Sequence, residues 1–368
     1  MLDGLDDINW SQFKHAYGNA SDVPDDIRAL LSPDAETVSD ALGRCCGNLH
    51  HQGTVYEATA YAVPFLVEFL TLTDFPEKLN LLYYLIEFTN GHSYLDVHQR
   101  HYDIEERESD DFKRRLAQEL QWVQAAYDAV ANHLDVYFHL MDEAEEEIRC
   151  LVIELLGQLP SNQADILPRF KQTLSTETSI LVKASILHAM RYFSGVVDDL
   201  MPYTHVDVPP LMRFCAAESI MYRSKDETPQ VIIDLLMDMF IPDDVMETQY
   251  WELPWQDGSI SLAISMNIRQ LSSERAEACI LRIVDKFTSA NWEEIVLLTE
   301  MLLYLILHDD TGYYVLPSAD DLTDLQRHVL ENVYQYALLP NRADDDLEFY
   351  LNAYDLPLNS ESFRQFLD

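Results

Sequence analysis

Apolar residues recur at spacings of three and four along most of this chain, the period of an amphipathic helix, and runs of Val, Ile and Thr in strict alternation are missing. The pattern predicts an all-α fold. It marks helices over residues 24–32 and 35–44, with Ser32-Pro33-Asp34 as the turn between them, then over 62–70 and from about 76 to 88. A long amphipathic stretch occupies 112–141. Helical pattern returns over 259–271, 274–288, 292–307 and 322–338, and a last helical turn is expected near Phe363.

The middle of the chain repeats itself. The helix predicted over 146–159 is followed by a turn and a second helix over 165–174, and the same apolar pattern restarts at Ile180 and again at Leu211. Aligned on their basic residue, Arg149, Lys183 and Arg213 lie 34 and 30 residues apart, one helical hairpin per unit. A length of 368 residues exceeds a comfortable single core, so either several domains or a repeat array is expected.

An apolar residue, then Arg or Lys, then two small residues and a helix ending in Leu-Gly resembles the second helix of a HEAT repeat. The likeness is to the short bacterial type and covers about residues 145–240. The stretch His51-Gln52-Gly53-Thr54-Val55-Tyr56, continuing to Ala62-Val63-Pro64-Phe65-Leu66, is similar to a group of uncharacterised bacterial HEAT-repeat proteins. The resemblance implies a right-handed α-solenoid of helical hairpins with irregular ends, terminal repeats being atypical because they cap the array. It also implies that the basic residue of each repeat pairs with an acid near the preceding turn, so Arg149, Lys183 and Arg213 are expected to be structural. It assigns no activity. Five segments are expected: 1–95, HEAT-like helices with the HQGT loop; 96–142, an acidic loop and long helix; 143–245, regular repeats; 246–340, degenerate repeats after a Trp-rich loop; 341–368, an acidic cap.

Charge narrows the function. The chain carries 64 Asp+Glu against 24 Lys+Arg, a formal net charge of −40, with 48% apolar residues. That apolar share is ordinary for a folded protein, so the acids clothe a core. A field of this sign repels phosphate, which argues against DNA, RNA and anionic membranes and for a basic protein partner. The most apolar window, 295–307, is interrupted by Thr299 and Glu300 and falls short of the roughly 20 residues of a membrane span. The start, Met1-Leu2-Asp3-Gly4-Leu5-Asp6-Asp7, lacks the basic and apolar regions of a secretory signal, so a cytoplasmic location is expected. Cys150, Cys215 and Cys279 sit inside apolar helical pattern, and Cys45-Cys46 lack C-x-x-C spacing, so all five are expected reduced and buried.

Chemistry is hard to find. His98 and His101 lie near Asp96, Asp103 and Glu105, but no H-E-x-x-H or other convergent motif turns them into a metal site, and structural histidines are expected. There is no G-x-S-x-G, no S-x-x-K and no phosphate-cradling glycine run. No catalytic residue, metal or cofactor is assigned. The candidate partner-binding residues are the acids Asp103, Glu105, Glu106, Glu108, Asp110 and Asp111, and the aromatic segment Tyr250, Trp251, Glu252 and Trp255. The runs 142–147, 243–244 and 344–346 are further acidic candidates. Acids before a helix also stabilise it against the macrodipole, so capping competes with contact for every run. The aromatics either anchor a partner or fold back into the groove where the repeat is interrupted.

The expectation is a non-enzymatic acidic HEAT-repeat scaffold that binds protein, with an immunity or antidote protein masking a basic bacterial toxin as its concrete form. One alternative is a helical-repeat enzyme or nucleic-acid-processing protein of the HEAT-like DNA glycosylase type, which requires Lys113, Arg114 and Arg115 to join Arg100 and Arg107 in a continuous positive channel. The other is a general scaffold with no toxin partner, whose acids serve solubility.

Overall fold

The computed structural model describes residues 1–142, 145–256, 258–308, 314–340, 342 and 344–368. The fold is all-α: among these residues there are 21 α-helices and only two short two-stranded hairpins. Side-chain caps set many helix starts. Asp34 accepts the Thr37 N–H at 3.0 Å to open Ala35–Leu49, Ser179 accepts from Val182 to open Ile180–Ala189, and Asn291 and Glu294 form a reciprocal capping box for Trp292–Leu307. No described helix is long and apolar enough to cross a membrane.

The chain forms two compact units. One comprises Met1–Ser194 with Leu253–Trp255, the other Gly195–Glu252 with Gln256–Asp368. Their boundary falls inside the expected 143–245 segment. In the first unit the helices Lys78–Thr89, Glu146–Gly157 and Ile180–Ala189 pack side by side, and Glu57–Leu70 packs on Asp110–Ala131. Glu146–Gly157 is buried over Ile148 and from Cys150 onward, so an almost unbroken apolar sequence is its natural composition. In the second unit Pro210–Ser224 packs on Gln230–Asp238 and on Ile260–Ile268. Trp292–Leu307 then receives Ile260–Ile268, Ser273–Lys286, Asp324–Val333 and Asp345–Ala353.

Gly157 shows how close the first unit's helices lie. A Cβ built there stands 2.9 Å from the Ala189 Cβ and 3.1 Å from its Cα. Gly→Ala in a helix ordinarily gains up to about 1 kcal/mol, but forcing an atom into a packed interface costs about 1–3 kcal/mol. Gly157→Ala is therefore expected to destabilise by roughly 1 kcal/mol net. A urea titration that finds a gain instead would mean the two helices slide apart freely.

Several elements depart from the sequence-based expectation. The first long helix continues through Cys45-Cys46 to Leu49, because both cysteines face the core. The 112–141 stretch is two helices, Asp110–Ala131 and Leu134–Leu140, and the break at Asn132 is clasped by Tyr137 donating to the Val130 carbonyl at 3.1 Å. The expected aromatic loop begins as a helix, Asp244–Trp251, because Asp243 caps it by accepting the Met246 N–H at 2.8 Å. The 322–338 helix is Asp324–Val333, finished by a π-helical turn at Tyr334–Leu338. The tail holds two helices rather than one turn, Asp345–Ala353 and Ser360–Leu367, capped by Asp344 and Asn359. The HQGT segment is a tight hairpin pairing His50–His51 with Thr54–Val55, its turn made by Gln52 and Gly53, both at positive φ.

Candidate partner-binding surface

Several basic side chains are drawn into ties within each unit. In the first, Arg149 Nη1 donates to the Glu177 carboxylate, Arg169 Nη2 reaches both oxygens of Asp142 at 2.7 and 2.8 Å, and Arg44 holds Asp26 at 3.1 Å. In the second, Arg282 binds Asp234 at 2.6 Å, and Arg327 donates to the carbonyls of Leu367 and Ala319 at 2.6 and 2.7 Å. Arg275 donates to the Asp226 and Thr228 carbonyls that precede Gln230–Asp238.

The strut expected from the resemblance needs correction. The acid held by Arg149 lies after its helix rather than before it. Glu177 is fixed there because it accepts the N–H groups of Thr178 and Ser179, at 2.7 and 2.8 Å, just ahead of the Lys183 helix. Lys183 and Arg213 form no ion pair among the described residues. Nothing in the structure explains the base at those two positions.

The six acids between 103 and 111 are all exposed, and their geometry is that of helix ends. Asp103 caps Ile104–Glu108 by accepting the Glu106 N–H at 2.7 Å, and Ser109 caps Asp110–Ala131. Glu108 accepts Lys113 Nζ at 2.7 Å, a bond that holds its carboxyl below the usual range. Asp111 pairs with Arg114 and, at 3.3 Å, with Arg115. Lys113, Arg114 and Arg115 are thus each neutralised by an acid of the same run and do not stand as unpaired cations. Glu105, Glu106 and Asp110 keep carboxylates that are in no ion pair among the described residues. Of the run 142–147, Glu143 lies outside the described residues.

The aromatic segment divides between the two units. Tyr250 is 4% exposed and meets the Phe214 ring edge-on at 5.6 Å, so it is core and not a contact residue. Trp251 is 53% exposed, with Nε1 donating to Glu247 at 3.0 Å, and Glu252 beside it is exposed. Trp255 belongs to the first unit. Its ring stacks on His188 with centroids 3.7 Å apart, its Nε1 donates to Ser185 Oγ at 2.7 Å, and the Pro254 carbonyl before it accepts the Tyr83 hydroxyl. Leu253-Pro254-Trp255 is therefore a strap on this unit, corresponding to the fold-back reading for Trp255. Asp257, which follows in the sequence, lies outside the described residues.

Beneath the strap is a polar cluster that sequence reasoning missed. Glu154 accepts Gln158 Nε2 at 2.7 Å and the Tyr192 hydroxyl at 3.4 Å, with His188 Nε2 3.6 Å from its second oxygen. Burial, with the Arg191 guanidinium adding, holds His188 well below the ordinary imidazole range, so the ring is neutral and stacks as an aromatic. One signal was present: the fifth residue after Arg149, Lys183 and Arg213 is Glu154, His188 and Glu218, polar each time within an apolar helix. In the second unit Glu218 accepts Asn267 Nδ2 at 2.8 Å.

All five cysteines are free and buried, and burial pushes the Cys150 thiol up to about 11, far from a reactive thiolate. Among the described residues no group of three or more His, Cys, Asp or Glu is placed to hold a metal ion. His98 and His101 meet edge to face at 5.5 Å. No protein-family model matches the chain, and no curated protein is found to be similar to it.

Proposed function

We propose that this chain is a non-enzymatic acidic scaffold of HEAT-type helical hairpins that binds a basic protein, with the masking of a basic toxin as its concrete form. One observation carries the reading. Where the bases are tied to acids or carbonyls inside each unit, as with Arg149, Arg169, Arg282 and Arg327, they cannot offset a partner-facing surface, so the imbalance behind the −40 charge is presented outward by carboxylates such as Glu105, Glu106 and Asp110. The pairing of Lys113, Arg114 and Arg115 with acids of their own run supports this reading over the nucleic-acid alternative, which calls for those bases to face phosphate.

Opposite charge speeds encounter and makes affinity depend on screening. With lysozyme and cytochrome c as basic probes, association is expected at about 20 mM NaCl and a loss of at least about tenfold by 300 mM, where the Debye length is only several ångströms. Affinity unchanged across that range, or equal binding of an acidic control protein, would remove charge as the basis of recognition.

A further inference from the structure

The HQGT hairpin is left unused by this reading, yet it organises an exposed aromatic face. Its second strand continues into a third: the Val55 N–H donates to the His92 carbonyl at 3.3 Å, the His92 N–H to the Gly53 carbonyl at 2.7 Å, and Thr54 pairs with His92 in parallel register. Tyr56 directly follows this pairing at Val55, and Tyr94 opens the short helix Tyr94–Val97 just after His92, so the two rings leave neighbouring points of the backbone. His92 and Tyr94 are exposed while Ser93 and Leu95 are buried. Tyr17 closes the face from the amino-terminal segment, its hydroxyl 3.2 Å from His51 Nδ1. Glu119 is anchored against it, one carboxylate oxygen accepting Ser93 Oγ at 2.7 Å and the Leu95 N–H at 2.9 Å. His98 stacks on the Tyr94 ring at 4.2 Å. Burial raises the Tyr56 phenol above its ordinary range, and Glu119, Tyr17 and Tyr94 add to the rise, as expected of groups gathered around one spot.

The aromatic members are not hidden. Tyr17 is 70% exposed and Tyr94 48%, so both rings are open to a partner. We propose that Tyr17, Tyr56 and Tyr94, gathered around the Glu119 carboxylate, receive an arginine side chain of the basic partner, an inference that rests on the proposed binding of a basic protein. A planar guanidinium stacks on aromatic rings while donating to a carboxylate, and tyrosines lose little side-chain entropy when they are covered. A guanidinium over an aromatic ring also occurs within the protein, with Arg269 over the Tyr304 ring at 5.1 Å and Arg342 over Trp292 at 5.0 Å. The acidic run 103–111 is the weaker docking point, because Glu108 and Asp111 are already neutralised and Asp103 caps a helix.

The test uses a fluorescein-labelled hexa-arginine peptide and anisotropy at about 20 mM NaCl, with the full chain. Tyr17→Ala with Tyr94→Ala is expected to weaken binding about tenfold, whereas Tyr17→Phe with Tyr94→Phe keeps both rings and stays within about twofold of the parent. Tyr17→Arg, at a position too exposed to disturb the fold, places a cation on the face and is expected to weaken binding at least as much. Peptide binding that persists unchanged in the alanine and arginine variants would overturn the aromatic site and leave the acidic-scaffold reading standing. A parent protein that does not bind the peptide at all would overturn both.

Discussion

Replacing Arg149 with methionine is expected to cost about 3 kcal/mol of stability, because it removes one member of a mostly buried ion pair and leaves the other uncompensated. The side chains of Arg149 and Glu177 are 18% and 9% exposed. Methionine keeps the length and packing of the arginine stem, so the loss reports the charge. Burial alone raises the Glu177 pKa, but the Ser179 and Thr178 amides and the Arg149 guanidinium outweigh it, and the carboxyl is held below its ordinary value of 4.5. A depressed folded value means that Glu177 contributes fully above about pH 4.5 and that the contribution is lost as pH falls through the folded value. The variant is therefore expected to differ most from the parent near pH 7 and to converge on it near pH 3. Lys183→Met breaks no ion pair and is expected to stay within about 0.5 kcal/mol of the parent. Equal urea midpoints for Arg149→Met and the parent at neutral pH would show that the pair is incidental.

The contrast between these two positions also marks what the sequence makes legible. Helices could be read because apolar periodicity is a local property, and caps such as Asp34, Ser179 and Asn291 stand next to the turns they close. The equivalence of Arg149, Lys183 and Arg213 could be read as register but not as contact. Which acid a base reaches depends on the approach of two helices, and that is set by Gly157 against Ala189. Tyr250 differs from expectation for a local reason: a Trp-rich composition suggests a loop, while Asp243 caps a helix that carries Tyr250 into the core. The missed cluster needed distance information of another kind. Trp255 meets Ser185 and His188 across some seventy positions of chain, and no spacing rule links them. The same holds for the aromatic face, where the HQGT hairpin brings Tyr56 beside Tyr94 by pairing at His92 and meets Tyr17 through His51.

Trp255→Ala brings the other large effect. Truncating a packed tryptophan costs about 3–5 kcal/mol, and because Trp255 is only half-buried the lower end is expected, near 3 kcal/mol. Two contacts go at once, the stack on His188 and the bond to Ser185 Oγ. Trp255→Phe separates them: it keeps a ring over His188 and loses the hydrogen bond, about 1 kcal/mol. Acidity supplies a second readout. Because the folded pKa of His188 lies well below 6.5, the unfolded chain binds the proton first, and stability present above pH 6.5 is lost as pH falls below it. While the folded ring stays neutral, that loss is up to about 1.4 kcal/mol for each pH unit. Removing Trp255 admits water to the imidazole, which lifts its folded pKa toward the ordinary range and flattens the slope between pH 6.5 and 5.5. His50 and His133, each lowered chiefly by its own burial, keep part of the slope in every variant. Urea unfolding at pH 7.5, 6.5 and 5.5 checks both effects together. A Trp255→Ala protein as stable as the parent and with the same pH slope would mean that the strap rests on the unit without shielding His188.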